Sequence, residues 1–178
     1  ALNKSGKKVG SLAVHLYRPF NTKAFVEKLP STVKTISVLD RTKEPGSIDE
    51  PLYQDVVTAL NENNKKAKVL CGRYGLGGKD FTPNDVVSVY ENAALAKPIN
   101  HFTTSIIDDV NKTSLPAPKK PYDAKTKDYE CLFYGLGSDG TVSANKSSIK
   151  IIGYQTNKSV QGYFEYDSKK SGSLTLSH

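Results

Sequence analysis

Short apolar runs alternate with stretches of helical spacing over the first 110 residues. Alternating Leu12, Val14 and Leu16 predict a strand within residues 9–17, and the β-branched run at 33–39 predicts a second. Apolar runs at 67–71 and 102–107 predict a third and a fourth. Between them, apolar residues recur at helical spacing, most clearly after Pro51.

Each of the three intervening helices has its own start signal. The predicted starts are a cap at Asn21 for a helix ending at Leu29, a cap at Asp49 or Glu50 before Pro51, and the capping-box sequence Thr82-Pro83-Asn84-Asp85. The resulting order β-α-β-α-β-α-β predicts the α/β class, with a doubly wound, mostly parallel sheet covered by helices on both faces. In such sheets ligands bind beyond the carboxyl ends of the strands. That edge is expected to carry Arg18, Asp40-Arg41, Arg73–Lys79 and Asp108-Asp109.

The pattern changes after residue 110. Residues 111–128 are rich in proline and lysine with little apolar periodicity, which predicts an extended linker. Residues 129–178 predict a truncated second α/β segment: a short strand at 131–134, a glycine-rich loop, a helix burying Val142, Ile149 and Ile152, and further strands or a hairpin at 162–166 and 174–176. The alternating pattern still runs at His178, which favours a piece excised from something longer.

The glycine-rich loop is the candidate binding site. Gly135, Gly137 and Gly140 stand between a predicted strand and a predicted helix, where backbone N–H groups and a helix N-terminus can face a phosphate. Lys146 or Lys150 is near enough to neutralise charge. An NAD site needs an acid about 20 residues further on, and residues 155–161 contain none. A P-loop needs glycine where Asn145 stands. Contact with a phosphate and a tight turn that merely packs the helix both remain open.

Other candidate groups have structural explanations beside the functional ones. The loop Gly72–Lys79 has an anion-binding composition, but its aromatic and apolar members favour a domain-docking loop. Asp108-Asp109 is more typical of a helix cap or surface turn than of a metal site, and Asp40-Arg41 of an ion pair that fixes its loop. His15 and His101 fall in strand-like settings typical of structural imidazoles. The sequence contains no G-x-S-x-G motif, and we predict no catalytic residue in it.

Composition narrows the function classes. The chain is 37% hydrophobic and 24% charged, as expected for a globular domain, and no apolar run is long enough to span a membrane. Its net charge of +7 comes mainly from scattered lysines, with three arginines among 25 basic residues, so a nucleic-acid partner is not favoured. Cys71 and Cys131 are predicted to be buried, reduced thiols. Two cysteines cannot ligate an iron–sulfur cluster, and the spacing of Cys and His predicts no metal site.

Long stretches of the sequence resemble the pyruvate:ferredoxin (flavodoxin) oxidoreductases. The matching segments are LYRPF (16–20), LDRTKEPG (39–46), GRYGLGGKDFTP (72–83), HFTTSIIDDV (101–110), GLGSDGTVSANKSSIKIIG (135–153) and GYFEYDSKKSG (162–172). The resemblance implies a transketolase C-terminal-like domain over 1–110, a Pro/Lys-rich linker over 111–128, and the start of a gamma-like domain over 129–178. Ser105 and Ser143 stand where the family often has glycine.

The resemblance also implies a function for the parent enzyme. That enzyme decarboxylates pyruvate on thiamine diphosphate with magnesium, passes electrons through iron–sulfur clusters to ferredoxin or flavodoxin, and releases acetyl-CoA. It is expected to be a homo-oligomer in the cytoplasm or a reducing organelle such as a hydrogenosome, without nucleic-acid or membrane partners. This chain would position the remaining domains and, alone, would bind no cofactor and be inactive.

The resemblance associates the gamma domain with coenzyme A. Its implied contacts here are Gly135, Gly137, Asp139, Gly140, Asn145 and Lys146. Related domains occur in pyruvate:NADP oxidoreductases and in sulfite reductase subunits, so the electron acceptor stays open. A stand-alone module that binds a nucleotide or coenzyme A is the alternative.

Overall fold

The chain divides into two compact units, Ala1–Tyr122 and Asp123–His178. The structure is a computed structural model and describes residues 2–76, 79–122, 128–136, 140–165 and 174–177. The first unit contains α1 (Thr22–Lys28), β1 (Thr35–Asp40), α2 (Pro51–Glu62), β2 (Lys68–Tyr74), α3 (Pro83–Ala93) and β3 (Phe102–Thr104). The second contains β4 (Phe133–Leu136), α4 (Thr141–Gln155), β5 (Phe164–Glu165) and β6 (Leu174–Ser177). No helix in the described ranges is long and apolar enough to cross a membrane.

The sheet of the first unit is parallel, with strand order β1-β2-β3. Val38 pairs with Cys71, and Gly72 pairs with Phe102. A helix separates each strand from the next, as a parallel connection requires. The predicted α/β class with a parallel sheet is therefore confirmed.

Alternate residues of the central strands feed two separate cores. On one face Val38 packs with Val56 and Leu60 of α2, and α1 adds Phe25. On the other, Leu70 packs with Val89 of α3 and with Phe102. Because successive strand side chains point to opposite faces, neighbouring positions of β2 serve different cores. Helices cover both faces of the sheet, as predicted.

The helix-start signals are largely confirmed. The Asn21 carboxamide accepts a hydrogen bond from the Ala24 N–H at 3.0 Å. Thr82 and Asp85 form the predicted capping box at the start of α3. Glu50 occupies the cap position of α2 but makes no side-chain cap bond there.

Residues 9–17 do not form the predicted strand. The chain begins with a 3-10 helix at Leu2–Ser5 and then runs without regular structure to α1. Leu12 and Leu16 are 42% and 73% exposed, so the alternation does not face a core. A strand is stable only beside a partner, and none of the described strands pairs with this segment.

The fourth predicted strand is shorter than its apolar run. β3 ends at Thr104 because Ser105 has a φ of +58°, a left-handed conformation that leaves the strand. This is one of the two positions where the family often has glycine, the residue that adopts such a φ without steric cost.

Much of the predicted linker is attached to the first unit. The Leu115 N–H donates to the Thr103 carbonyl at 2.8 Å, and the Thr103 N–H donates to the Thr113 carbonyl at 3.1 Å. The Leu115 side chain joins the core around Leu70, and the Tyr122 N–H reaches Asn84. Residues 113–122 thus continue the first unit past the predicted boundary at 110.

The second unit is a small antiparallel sheet with one helix. Its strand order is β4-β6-β5, so β5 and β6 pair as the predicted hairpin would. The helix prediction is correct, but its buried positions differ. Val142 and Ile149 are partly buried, Ile152 is 42% exposed, and the fully buried residues of α4 are Thr141 and Asn145.

Candidate functional site

The N-terminus of α4 lacks a side-chain cap among the described residues. Its cap residue, Gly140, has a φ of +88° and makes no side-chain cap bond, and the first turn contains no acidic residue. Apart from its chain neighbours, no atom of the described residues lies within 4 Å of the position that a Cβ of Gly140 would occupy. The backbone N–H groups and the positive end of the helix dipole favour negative charge at this point.

Asn145 supplies an unused donor one turn into the same helix. Its side chain is 1% exposed, and its Nδ2 has no hydrogen-bond partner among the described residues. A buried amide without a partner is costly, so such a group calls for an explanation. A ligand oxygen at this position would satisfy it.

Lys146 is exposed and follows Asn145 directly. Its Nζ lies 5.4 Å from the centroid of the Phe164 ring, within cation–π range. The ammonium therefore sits beside β5, where it remains accessible to a phosphate.

The remaining predicted contacts are Gly135, Gly137 and Asp139. Gly135 lies inside β4 and pairs in register with Thr175 of β6, so it belongs to the sheet and not to the loop. Gly137 and Asp139 lie outside the described residues. Gly140 is thus the cap of α4, and Asn145 and Lys146 lie in the first half of the helix.

The position of helix α4 also excludes the P-loop alternative. Residues 141–144 lie within α4, whereas the residues between the two glycines of a P-loop form the loop around the phosphates. The broken motif therefore lacks that loop as well as its second glycine.

The predicted Asp40-Arg41 ion pair is wrong. Asp40 is buried and accepts hydrogen bonds from the backbone N–H groups of Leu52 and Tyr53, both at 3.2 Å, at the start of α2. Burial raises the pKa of this carboxyl, and the two N–H groups partly oppose that shift. Arg41 instead donates from Nε to the Gly75 carbonyl at 3.1 Å. Both residues fix loops at the carboxyl edge of the sheet, one for α2 and one for the Gly72–Lys79 segment.

The two other arginines predicted at this edge are paired with carboxylates. Arg73 forms an ion pair with Glu50, whose side chain is 3% exposed, and Arg18 pairs with Asp55 at 2.7 Å. Tyr74 and Phe81 pack against each other with ring centroids 4.8 Å apart. An anion site at this loop would have to compete with these internal contacts.

Asp108 stabilises a surface turn, which is one of the two roles predicted for it. Its carboxylate accepts hydrogen bonds from the Thr113 hydroxyl at 2.6 Å and from the Asn111 N–H at 3.0 Å. These bonds, with those from the N–H groups of Thr113 and Val110, lower its pKa to about 2. Nothing in this turn requires a metal.

One cluster was not evident from sequence. Asp49, Cys71 and His101 are 22 to 52 positions apart, yet their polar atoms all lie within 4.8 Å of one another. Asp49 and Cys71 are buried, while the His101 side chain is 50% exposed. Cys71 is the buried thiol that was predicted, but Cys131 is exposed. No local spacing signals such a cluster, because the sheet topology alone assembles it.

Comparison with known proteins defines the class first. Residues 1–86 match the family described as pyruvate:ferredoxin oxidoreductase core domain II. Over 99% of its length the chain is 55% identical to the pyruvate:ferredoxin oxidoreductase of Moorella thermoacetica and 54% identical to the pyruvate-flavodoxin oxidoreductase of a Nostoc species. It is also 49% identical over the same share to the mitochondrial pyruvate dehydrogenase [NADP(+)] of Euglena gracilis.

The chain belongs to the pyruvate:ferredoxin (flavodoxin) oxidoreductase family. It covers 15%, 16% and 10% of those three relatives, respectively. The parallel α/β unit at its start agrees with the match to core domain II.

Proposed function

We propose that this chain is one part of an enzyme that oxidatively decarboxylates pyruvate to acetyl-CoA and delivers the electrons to ferredoxin or flavodoxin. The observation that carries the proposal is the 52–55% identity to pyruvate oxidoreductases across 99% of the chain. The part described here would position neighbouring domains and contribute no catalytic residue. Its partners would be the remaining domains of a homo-oligomeric parent in the cytoplasm or a reducing organelle.

Thiamine diphosphate, magnesium and the iron–sulfur clusters would be bound by other parts of the parent. A cluster needs four thiolates, whereas this chain has two cysteines, one buried in β2 and one exposed near β4. The residues present therefore do not fit a cluster.

The N-terminus of α4 would contact a phosphate of coenzyme A. Support comes from three features of the described residues: the helix start at Gly140 has no side-chain cap, the buried Nδ2 of Asn145 has no hydrogen-bond partner, and the ammonium of Lys146 is exposed. In this arrangement the helix and Asn145 donate hydrogen bonds and Lys146 neutralises charge. Gly135, Gly137 and Asp139 would shape the approach to the helix.

A segment exchange tests the activity. The chain would replace its 55% identical counterpart in the Moorella enzyme, and formation of acetyl-CoA from pyruvate would be measured with a viologen dye as acceptor. We expect an active chimera, an inactive deletion of the same segment, and no activity from the chain alone. A folded chimera without pyruvate-dependent reduction would contradict the proposal.

A charge substitution in that chimera tests the coenzyme A contact. Lys146→Gln should raise the KM for coenzyme A roughly tenfold, equivalent to about 1.4 kcal/mol of lost binding, and leave the KM for pyruvate unchanged. The matched control is Lys23→Gln, an exposed lysine on α1. Equal effects of the two substitutions on coenzyme A would exclude a specific role for Lys146 without affecting the activity proposal.

The electron acceptor of the parent enzyme is not identified by the sequence of this stretch. The Euglena relative is named for NADP and is still 49% identical over 99% of this chain, so this stretch tolerates a different acceptor. Comparing the reduction of ferredoxin, flavodoxin and NADP by the parent enzyme would identify the acceptor.

A further inference from the structure

Asp49, Cys71 and His101 converge from three elements of the first unit. Asp49 precedes the cap of α2, Cys71 lies in the middle of β2, and His101 directly precedes β3. The His101 Nδ1 lies 2.9 Å from the Asp49 Oδ1, and the Cys71 thiol hydrogen-bonds to the same carboxylate. All three potential ligand atoms lie within 4.8 Å of one another.

Neighbouring groups fix the backbone around these side chains. The Asn100 Oδ1 accepts a hydrogen bond from the Cys71 N–H at 2.7 Å, which joins β2 to the residue before His101. The Gln54 Nε2 donates to the Asp49 carbonyl at 2.5 Å. His101 has a φ of +55°, a conformation that a non-glycine residue keeps only where its surroundings hold it. The three ligand-bearing positions are therefore set by the fold.

The chemistry of the three groups matches a thiophilic cation. Thiolate, imidazole and carboxylate are the common zinc ligands, with bonds of about 2.0–2.3 Å and thus ligand atoms roughly 3.3–3.6 Å apart. We propose that Asp49, Cys71 and His101 form a binding site for a divalent cation of the zinc type, through a carboxylate oxygen, Sγ and Nδ1. Because the His101 side chain is half-exposed, water can occupy the fourth coordination position of the ion, and the ion can enter from solvent.

Binding would exchange one cation for one net proton. A cysteine binds such a cation as its thiolate, so the Cys71 thiol must lose its proton on binding. The His101 proton moves from Nδ1 to Nε2, which leaves the imidazole neutral. Metal binding should therefore release about one proton per cation at neutral pH.

Asn100 opposes this transfer in a way that can be tested. Its Nδ2 lies 3.1 Å from the His101 Nε2, and its Oδ1 is occupied by the Cys71 N–H, so without metal Nε2 accepts the hydrogen bond. Once the proton is on Nε2, two donors face each other. Asn100→Asp would replace the donor by an acceptor and form the carboxylate–histidine–metal arrangement common in zinc sites.

Cobalt substitution provides the primary test on the 178-residue chain. Co²⁺ added to the reduced protein should give a thiolate-to-cobalt charge-transfer band at one equivalent, and Zn²⁺ should abolish it by displacement. Cys71→Ser should lose the band, whereas Cys131→Ser, which removes the exposed cysteine, should keep it. The absence of a band in the wild type, or its loss in Cys131→Ser, would overturn the proposal, and neither outcome depends on whether the Cys71 variant folds.

Affinity in the Asn100 variant gives an independent readout. We expect Asn100→Asp to bind Co²⁺ roughly tenfold more tightly than the wild type, because the new carboxylate accepts a hydrogen bond from the His101 Nε2–H. Weaker binding in this variant would contradict ligation through Nδ1. Far-UV circular dichroism of both proteins checks that the fold is unchanged.

Discussion

Asp108 shows how one carboxylate fixes a turn at the scale of a single residue. Because hydrogen bonds hold its pKa at about 2, below the unfolded value of about 3.9, its stabilisation is complete above pH 4 and is lost as the pH falls through 2. We expect the Asp108 carboxyl resonance to titrate below pH 3, with the Thr113 amide shift following it. Asp108→Asn should remove that step, and a midpoint near 4 would contradict the bonding described.

Gly72 is required by close packing. A Cβ at this position would collide with the Phe102 ring and come within 2.8 Å of the Leu39 Cδ2. Gly72→Ala is therefore expected to lower the free energy of unfolding by about 1–3 kcal/mol through overpacking. Gly10→Ala is the control, because no described atom beyond its chain neighbours lies within 4 Å of its Cβ position, and it should change stability by less than about 0.5 kcal/mol. Equal urea midpoints for the two variants would contradict this prediction.

At the scale of the element, the start of α3 joins a helix to a strand. The Thr82 hydroxyl accepts a hydrogen bond from the Asp85 N–H, and the Asp85 carboxylate accepts one from the Thr82 N–H. At the end of β3, the same carboxylate also accepts hydrogen bonds from the Thr104 hydroxyl and the Ser105 N–H. Thr82→Ala should cost about 0.5–2 kcal/mol, and Asp85→Ala should cost more because it also releases β3. Thr58→Ala, on the exposed side of α2, should cost almost nothing in the same urea titration. A smaller loss for Asp85→Ala than for Thr82→Ala would contradict the shared role.

Elements with local signals were the ones that sequence predicted well. The caps at Asn21 and Thr82 depend on residues within three positions, and the structure contains both. Residues 9–17 have the alternation of a strand, but alternation does not reveal whether a partner strand is available. Ser105 ends β3 by a backbone conformation that hydrophobicity does not report. The failures therefore arise where tertiary context decides.

In the candidate site, too, the sequence predicted what depends on local signals and missed what depends on tertiary packing. The glycine motif pointed to the start of α4, since its order of strand, loop and helix is local. The burial of Asn145 and the position of Lys146 over Phe164 depend on packing between α4 and the segment at 162–164, which the pattern did not contain. The cluster at Cys71 requires contacts between three elements, and no spacing in the sequence encodes it.

At the scale of the whole molecule, the first unit should be more stable when it extends to residue 122 than when it ends at 110. Residues 111–122 supply the Leu115–Thr103 hydrogen bond and the partly buried Leu115 side chain. Their removal should cost at least about 2 kcal/mol. Thermal unfolding of chains ending at 122 and at 110 would measure the difference. Equal midpoints would instead support the boundary at 110.

The strand order of the second unit has a consequence for biosynthesis. In the first unit each strand pairs with the next one made, so the sheet can grow as the chain leaves the ribosome. In the second unit β4 and β5 both pair with β6, which is translated last of the three. This unit must wait for residue 177 before its sheet can close, and until then the backbone N–H and C=O groups of β4 lack their partner strand. During translation, the interval between β4 and β6 is thus when the unpaired edge of β4 can pair with another chain.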